Sequence, residues 1–210
     1  IVQLTGSGNG DFNNTAGVIE AVGAGAEVQL LTNASVVGGT LRGTDGGVVR
    51  VLAGQNVFLS DATLEGQVVV ENNTDFVVSG TITNNSTITL ESTGNPTDME
   101  VQAGGAVLAG SGKLVLAKAS SGIPGVNGIA DALLTNTASH TIEGAGNLGS
   151  NTINLVNDGL INANLAGQAL TIDPDSTSGM VNNATVRASD SGIVQLTGSG
   201  NGDFNNTAGV

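Results

Sequence analysis

Gly80-Thr81-Ile82-Thr83-Asn84-Asn85-Ser86-Thr87-Ile88-Thr89-Leu90 contains two strands and the corner between them. In 81–83 and again in 87–90 an aliphatic residue alternates with threonine, the period-two pattern of a strand with one face in a core. Asn84-Asn85-Ser86 supplies turn residues, because asparagine tolerates left-handed backbone and hydrogen-bonds its own neighbours.

Working outward, 80–84 is one copy of a degenerate motif: a small residue, usually Thr, an aliphatic residue, any residue, a small residue. Eight copies centre on Ile19, Leu41, Leu64, Ile82, Val107, Ile142, Ile161 and Val186. After each comes a short alternating run such as Val28-Gln29-Leu30 or Leu170-Thr171-Ile172, and most copies offer a third run such as Val57-Phe58-Leu59. Two to three short strands in about 24 residues describe one turn of a parallel β-solenoid, an all-β fold. A single coil cannot bury its aliphatics, whereas stacked coils share a narrow core and pair every strand with those above and below. Paired asparagines at 13–14, 72–73, 84–85 and 182–183 suit corners that ladder from rung to rung.

A longer period lies above this one. Residues 1–18, IVQLTGSGNGDFNNTAGV, return letter for letter as residues 193–210. Residues 1–192 are therefore expected to form one unit of a tandem array, with about eight rungs, and 193–210 to begin the next. The segment 117–139, in the longest rung, is expected to leave the coil as an inserted loop with a short helix from Asp131 to Leu134.

Composition narrows the function classes. Eighteen acidic residues against five basic ones give a net charge of −13, which leaves no basic stripe for nucleic acid. No apolar run approaches the roughly 20 residues of a membrane helix, so no membrane insertion is expected. Cysteine is absent, which excludes disulfides and thiolate metal sites. Four phenylalanines, with no tryptophan or tyrosine, supply no aromatic platform for a sugar substrate, and no clustered carboxylates suggest glycoside chemistry.

Asn13 to Gly25 (NNTAGVIEAVGAG), Leu155 to Gly167 (LVNDGLINANLAG) and Thr81 to Leu90 (TITNNSTITL) resemble the rungs of right-handed β-helix surface proteins of bacteria. The likeness is to autotransporter passengers and filamentous-haemagglutinin-type adhesins. It implies a right-handed solenoid at the cell surface or outside the cell, and it implies no catalytic residues.

The candidate sites are few. Gly6-Ser7-Gly8-Asn9-Gly10-Asp11 resembles one turn of the calcium-binding Gly-Asp repeats of RTX proteins, and Asp173 and Asp175 have a spacing calcium could use. Both also read as plain turns, and no cofactor is otherwise expected. His140, the only histidine, stands at a corner with no metal or catalytic partner in view. Thr40, Thr63, Thr81, Thr141 and Thr185 could form a flat hydroxyl ladder of the kind ice-binding solenoids use, or could reflect β-propensity alone. Ile123, Val126, Ile129, Leu133 and Leu134 are candidates for lateral contact between fibres. The expected function is a non-enzymatic structural repeat of a long fibre or adhesin stalk, whose partners are copies of itself joined end to end. The alternative is an adhesive module that recognises glycan or protein through 117–139.

Overall fold

The computed structural model describes residues 1–119, 121–129, 131–198 and 203–210. Among these lie twenty-three strands and no helix, joined into one wholly parallel sheet that coils upon itself for about nine turns. One rule governs the pairing: each straight segment bonds to the segment three further along the chain. Val2–Thr5 pairs with Glu27–Leu31, Phe12–Asn13 with Ser35–Val37, and Val18–Val22 with Thr40–Thr44. The coil thus has three faces. Thr63–Val70, Asp75–Ser92 and Pro96–Ala109 run round one or two corners without losing strand geometry.

The alternation read from the sequence fixes which side chains turn inward. On the first face Val28, Val49, Val68, Ile88, Leu114 and Ile142 stack in register from coil to coil. On the second, Phe76, Met99, Val126, Leu148 and Ile172 do the same. All are buried in a single axial core. At roughly 25 cal/mol per Å² of apolar surface, this core supplies the main drive to fold. The corners need particular backbone. Gly66 has φ of +84°, and a Cβ there would fall on the carbonyl oxygen of Gly43 one coil below, so glycine satisfies two demands at once.

The unit does not contain a whole number of turns. Twenty-one strands precede Ile193–Leu196; Thr63–Val70 and Pro96–Ala109 each cover two faces and Asp75–Ser92 covers three. They make twenty-five segments, or eight turns and a third. Val2–Thr5 accordingly lies on the first face while its copy Ile193–Leu196 lies on the second, paired with Ala169–Ile172. Phe12–Asn13 lies on the second face and its copy Phe204–Asn205 on the third. Inward residues stay inward: Leu4 stacks on Leu30 and Leu196 on Ile172, Phe12 on Val36 and Phe204 on Met180. Identical sequence thus takes an identical place in the coil, one face on.

The unit thus has the expected eight or so rungs and a third of a turn more, and the reason the motif count hides that third is local. The motif marks a strand that follows a tight corner, and two corners fit it. Ile19, Leu41, Leu64 and Ile82 lie on the third face, whereas Ile142, Ile161 and Val186 lie on the first. The long step from Val107 to Ile142 contains one turn plus one further face.

That surplus is the segment taken for an inserted loop. The described residues of 117–139 do not leave the coil: Ile123–Gly128 pairs with Pro96–Val101, and Ala132–Asn136 lies between Ala106–Leu108 and Ile153–Asn157. Asp131 starts no helix; it is a single left-handed corner residue with φ of +67°. Alternation then separates the five apolar candidates. Val126 and Leu134 are core residues, and Ile123, Ile129 and Leu133 are exposed. The threonine ladder is divided as well: Thr40 stacks on Thr63, but Thr81 faces Val107 and Leu160 separates Thr141 from Thr185.

The one-third offset is directly checkable. Thr171 and Gln195 are register partners on outward positions, and stacked strands bring Cα atoms within disulfide reach. Thr171→Cys with Gln195→Cys should cross-link readily under mild oxidation, while Arg187→Cys with Gln195→Cys, the pair an eight-turn unit would bring together, should not. The opposite yields would refute the offset.

Candidate functional site

A file of polar side chains, buried up to the exposed Asn206 at its end, runs along the corner that follows the third face. It begins at Asn84, whose Oδ1 accepts from the Ser86 amide and hydroxyl at 2.9 and 2.6 Å. This fixes the Asn84 amide group, and its Nδ2 lies 2.9 Å from Nε2 of His140. Nδ1 of His140 lies 2.7 Å from Oδ1 of Asn136. Asn136 donates to Asn157 at 2.8 Å, Asn157 to Asn182 at 2.7 Å, and Asn182 to Asn206 at 2.6 Å. The spare amide protons of Asn136, Asn157 and Asn182 go to the carbonyls of Leu160, Thr185 and Ala184. Every bond in the file donates in the same direction, so the dipoles reinforce one another.

The sequence builds this file with a pattern of inward residue, any residue, asparagine: Ile82-x-Asn84, Leu134-x-Asn136, Leu155-x-Asn157, Met180-x-Asn182 and Phe204-x-Asn206. The coil between Asn84 and Asn136 breaks the pattern, with Gly110 where the asparagine would stand. The His140 imidazole bridges that coil. Room exists because Gly110 and Gly112 have no side chain, and a Cβ on either would strike the Asn84 carbonyl.

His140 is therefore a structural bridge. Nε2 must accept from Asn84, so the proton is on Nδ1 and the ring is neutral. Burial holds the pKa at about 4, below the ordinary 6.5. A proton on Nε2 would face the Asn84 amide protons.

The corner asparagines expected to ladder do so in part. Asn84 and Asn182 belong to the file, while Asn72 caps a turn elsewhere, its Oδ1 accepting from the amides of Thr93, Gly94 and Asn95. The file also takes in Asn136 and Asn157, which the doubled-asparagine signal overlooks. The recurrent inward-x-Asn triplet would have found them.

The acidic candidates are local turn-formers. Asp11 accepts from the Ser7 amide and hydroxyl and from the Gly8 amide at 2.8, 2.6 and 3.1 Å, and these bonds, the Ser7 hydroxyl first, lower its pKa. Asp175 accepts from the Thr177 amide at 2.7 Å, and its pKa is lowered by Thr177. Asp173 bonds through its backbone, accepting from the Asn151 amide and donating to the Leu148 carbonyl. Among the described residues, no three His, Cys, Asp or Glu side chains come together as they would to hold a metal ion.

The remaining feature is the upper end of the core. There a cavity of about 220 Å³ opens among Met180, Val186, Val194, Leu196, Phe204 and Val210. It is the apolar interior of the coil seen end on. At the lower end Ile1, Val2, Val18 and Val22 are exposed.

No protein-family model, no curated protein and no solved structure matches the chain.

The file makes stability depend on pH. The pKa of His140 is about 6.5 unfolded and about 4 folded, so its contribution is complete above pH 6.5 and is lost as the pH falls towards 4. The full difference is about 3 kcal/mol at the acid end. Urea unfolding at pH 7.5 and at pH 5 should show a falling midpoint for the native chain. His140→Leu should be less stable at pH 7.5, with one Asn84 amide proton and the Asn136 Oδ1 losing the partners His140 gives them, and should lose less between the two pH values. Equal losses in both proteins would remove His140 from the account.

Proposed function

We propose that the chain is a non-enzymatic structural segment of a long fibre or adhesin stalk, extended by stacking one unit on the next. The observation that carries this reading is the join between the two copies. Ile193–Leu196, Phe204–Asn205 and Val210 sit on Ala169–Ile172, Met180–Asn182 and Thr185–Ala188 with strand register, core and asparagine file unbroken. A repeat that continues its own coil has a geometry suited to indefinite extension. The acidic surface suits a soluble, mutually repelling shaft. A place outside the cell or on a bacterial surface belongs to the same proposal, on the resemblance of the rungs.

Ile123, Ile129 and Leu133 favour a secondary role in lateral contact or adhesion, as exposed aliphatics on a strongly acidic surface.

The principal test is length. Eight and one-third turns at about 4.8 Å per coil give about 40 Å for each unit. Proteins of one, two and three tandem units, imaged by electron microscopy, should be rods that lengthen by that step at constant width. Compact particles that widen as units are added would overturn the proposal.

A further inference from the structure

In Asn56–Ser60 the alternation turns Val57 and Leu59 into the core, so the Phe58 ring between them turns outward and is half-buried. Phe12, Phe76 and Phe204, by contrast, lie in the core or pack against it. On the outer side of the second face Phe58 stands above Ser35 and below Val77, and the neighbouring column places Ser79 above Ser60. Residues 6–11 close the other side. Asp11 holds the amides of Ser7 and Gly8, and the Gly10 amide donates to the Ser35 hydroxyl at 2.9 Å. The loop therefore lies against Phe58, so closely that a Cβ on Gly8 would meet the ring at 3.2 Å. The Gly-Asp segment that resembles a calcium turn is thus one wall of a cavity.

This cavity measures about 310 Å³ and is lined by Gly8, Phe58, Ser60, Val77, Ser79 and Gln102 among others, a size at the lower end of the range for small-molecule sites. Its floor is aromatic and aliphatic, and its rim carries hydroxyls and a carboxamide. The rim groups are loosely engaged. The Ser60 hydroxyl is 3.4 Å from Oδ2 of Asp61, and Nε2 of Gln102 is 3.4 Å from Oε1 of Glu100, both at the outer limit of hydrogen bonding. No cation is among the lining residues. Glu100, stacked on Val77, and Asp61, beside Ser60, make the surroundings acidic.

We propose that this cavity binds a neutral pyranose, one C–H face of the sugar lying on the Phe58 ring and its hydroxyls bonding to Ser60, Ser79 and Gln102. The C–H groups of a pyranose suit the negative face of an aromatic ring. Serine hydroxyls and the glutamine carboxamide both donate and accept, as sugar hydroxyls do. An anionic sugar would meet acidic neighbours with no cation to balance it, and a wholly apolar ligand would leave the rim groups without partners. The four phenylalanines read from the sequence supply no aromatic platform; the fold makes one of Phe58. The site goes beyond the fibre reading, because it adds ligand recognition to the shaft and does not depend on units stacking.

Saturation-transfer NMR of the full chain tests this with the methyl glycosides of glucose, galactose, mannose and N-acetylglucosamine, each at about 20 mM so that millimolar affinities are reached. At least one should receive transfer, strongest at the protons of one ring face, and N-acetylneuraminic acid, the anionic probe, should receive none. Phe58→Ala should weaken binding at least about tenfold, and Phe58→Trp should retain it. Ser79→Leu, which fills the cavity and leaves Phe58 in place, should abolish it. Both positions face outward, so the circular dichroism melting curves of these variants should stay close to that of the native chain; if Phe58→Ala melts early, Ser79→Leu decides. Transfer to none of the four glycosides, binding unchanged in a folded Phe58→Ala or in Ser79→Leu, or equal transfer to N-acetylneuraminic acid would overturn the site. If tandem units still lengthen as rods in that case, the site alone fails; if the sugar binds but tandem units do not form rods, the fibre reading alone fails.

Discussion

A strand in this coil has no neighbour within its own turn, so its amides and carbonyls must find partners one turn away. That constraint shapes everything else. Buried backbone groups left unpaired cost more than most side-chain contacts return, so every segment bonds to the third one on, whatever the length of the intervening corners. Corners vary and register does not. Inward residues therefore stack on inward residues, and the core becomes a narrow column in which valine, isoleucine and leucine fit. The scarcity of aromatic residues follows from that width.

The same constraint places polar groups in columns. An asparagine just past the last inward residue of a face stands above another asparagine, and the amide, with its donor and acceptor ends, continues the chain of bonds without loss. Where one coil lacks its asparagine, His140 spans the gap. Ion pairs also form between coils: Arg50 reaches Glu27 below and Glu71 above, Arg42 lies beside Glu20, and Lys113 lies beside Glu143. These are partly exposed and individually worth little. They nonetheless leave most of the eighteen acidic residues uncompensated.

The all-parallel solenoid was legible because period-two alternation and turn residues are both local signals, plain in 80–90. The fraction of a turn was not legible, since it depends on counting faces, and the small-Thr-aliphatic motif does not distinguish one corner from another. The segment 117–139 misled for a related reason. Ile123-Pro124-Gly125-Val126 and Ala132-Leu133-Leu134 have apolar residues on both sides of the strand, so alternation is obscured; Pro124 and Gly125 suggest a loop although they lie within Ile123–Gly128. The asparagine file was half visible. Its members occur at strand ends where turn chemistry is expected, but the contact between His140 and Asn84 joins residues 56 positions apart and exists only because the intervening coil has glycine.

The central claim is that 192 residues make eight turns and a third, so that the repeat advances by one face each time. Cryo-electron microscopy of a three-unit tandem protein, at a resolution that separates strands about 4.8 Å apart, would count the coils. The account predicts twenty-five coils over three units, with the IVQLTGSGNGDFNNTAGV segment beginning on each of the three faces in turn. Twenty-four coils, with that segment returning to one face in every unit, would contradict it.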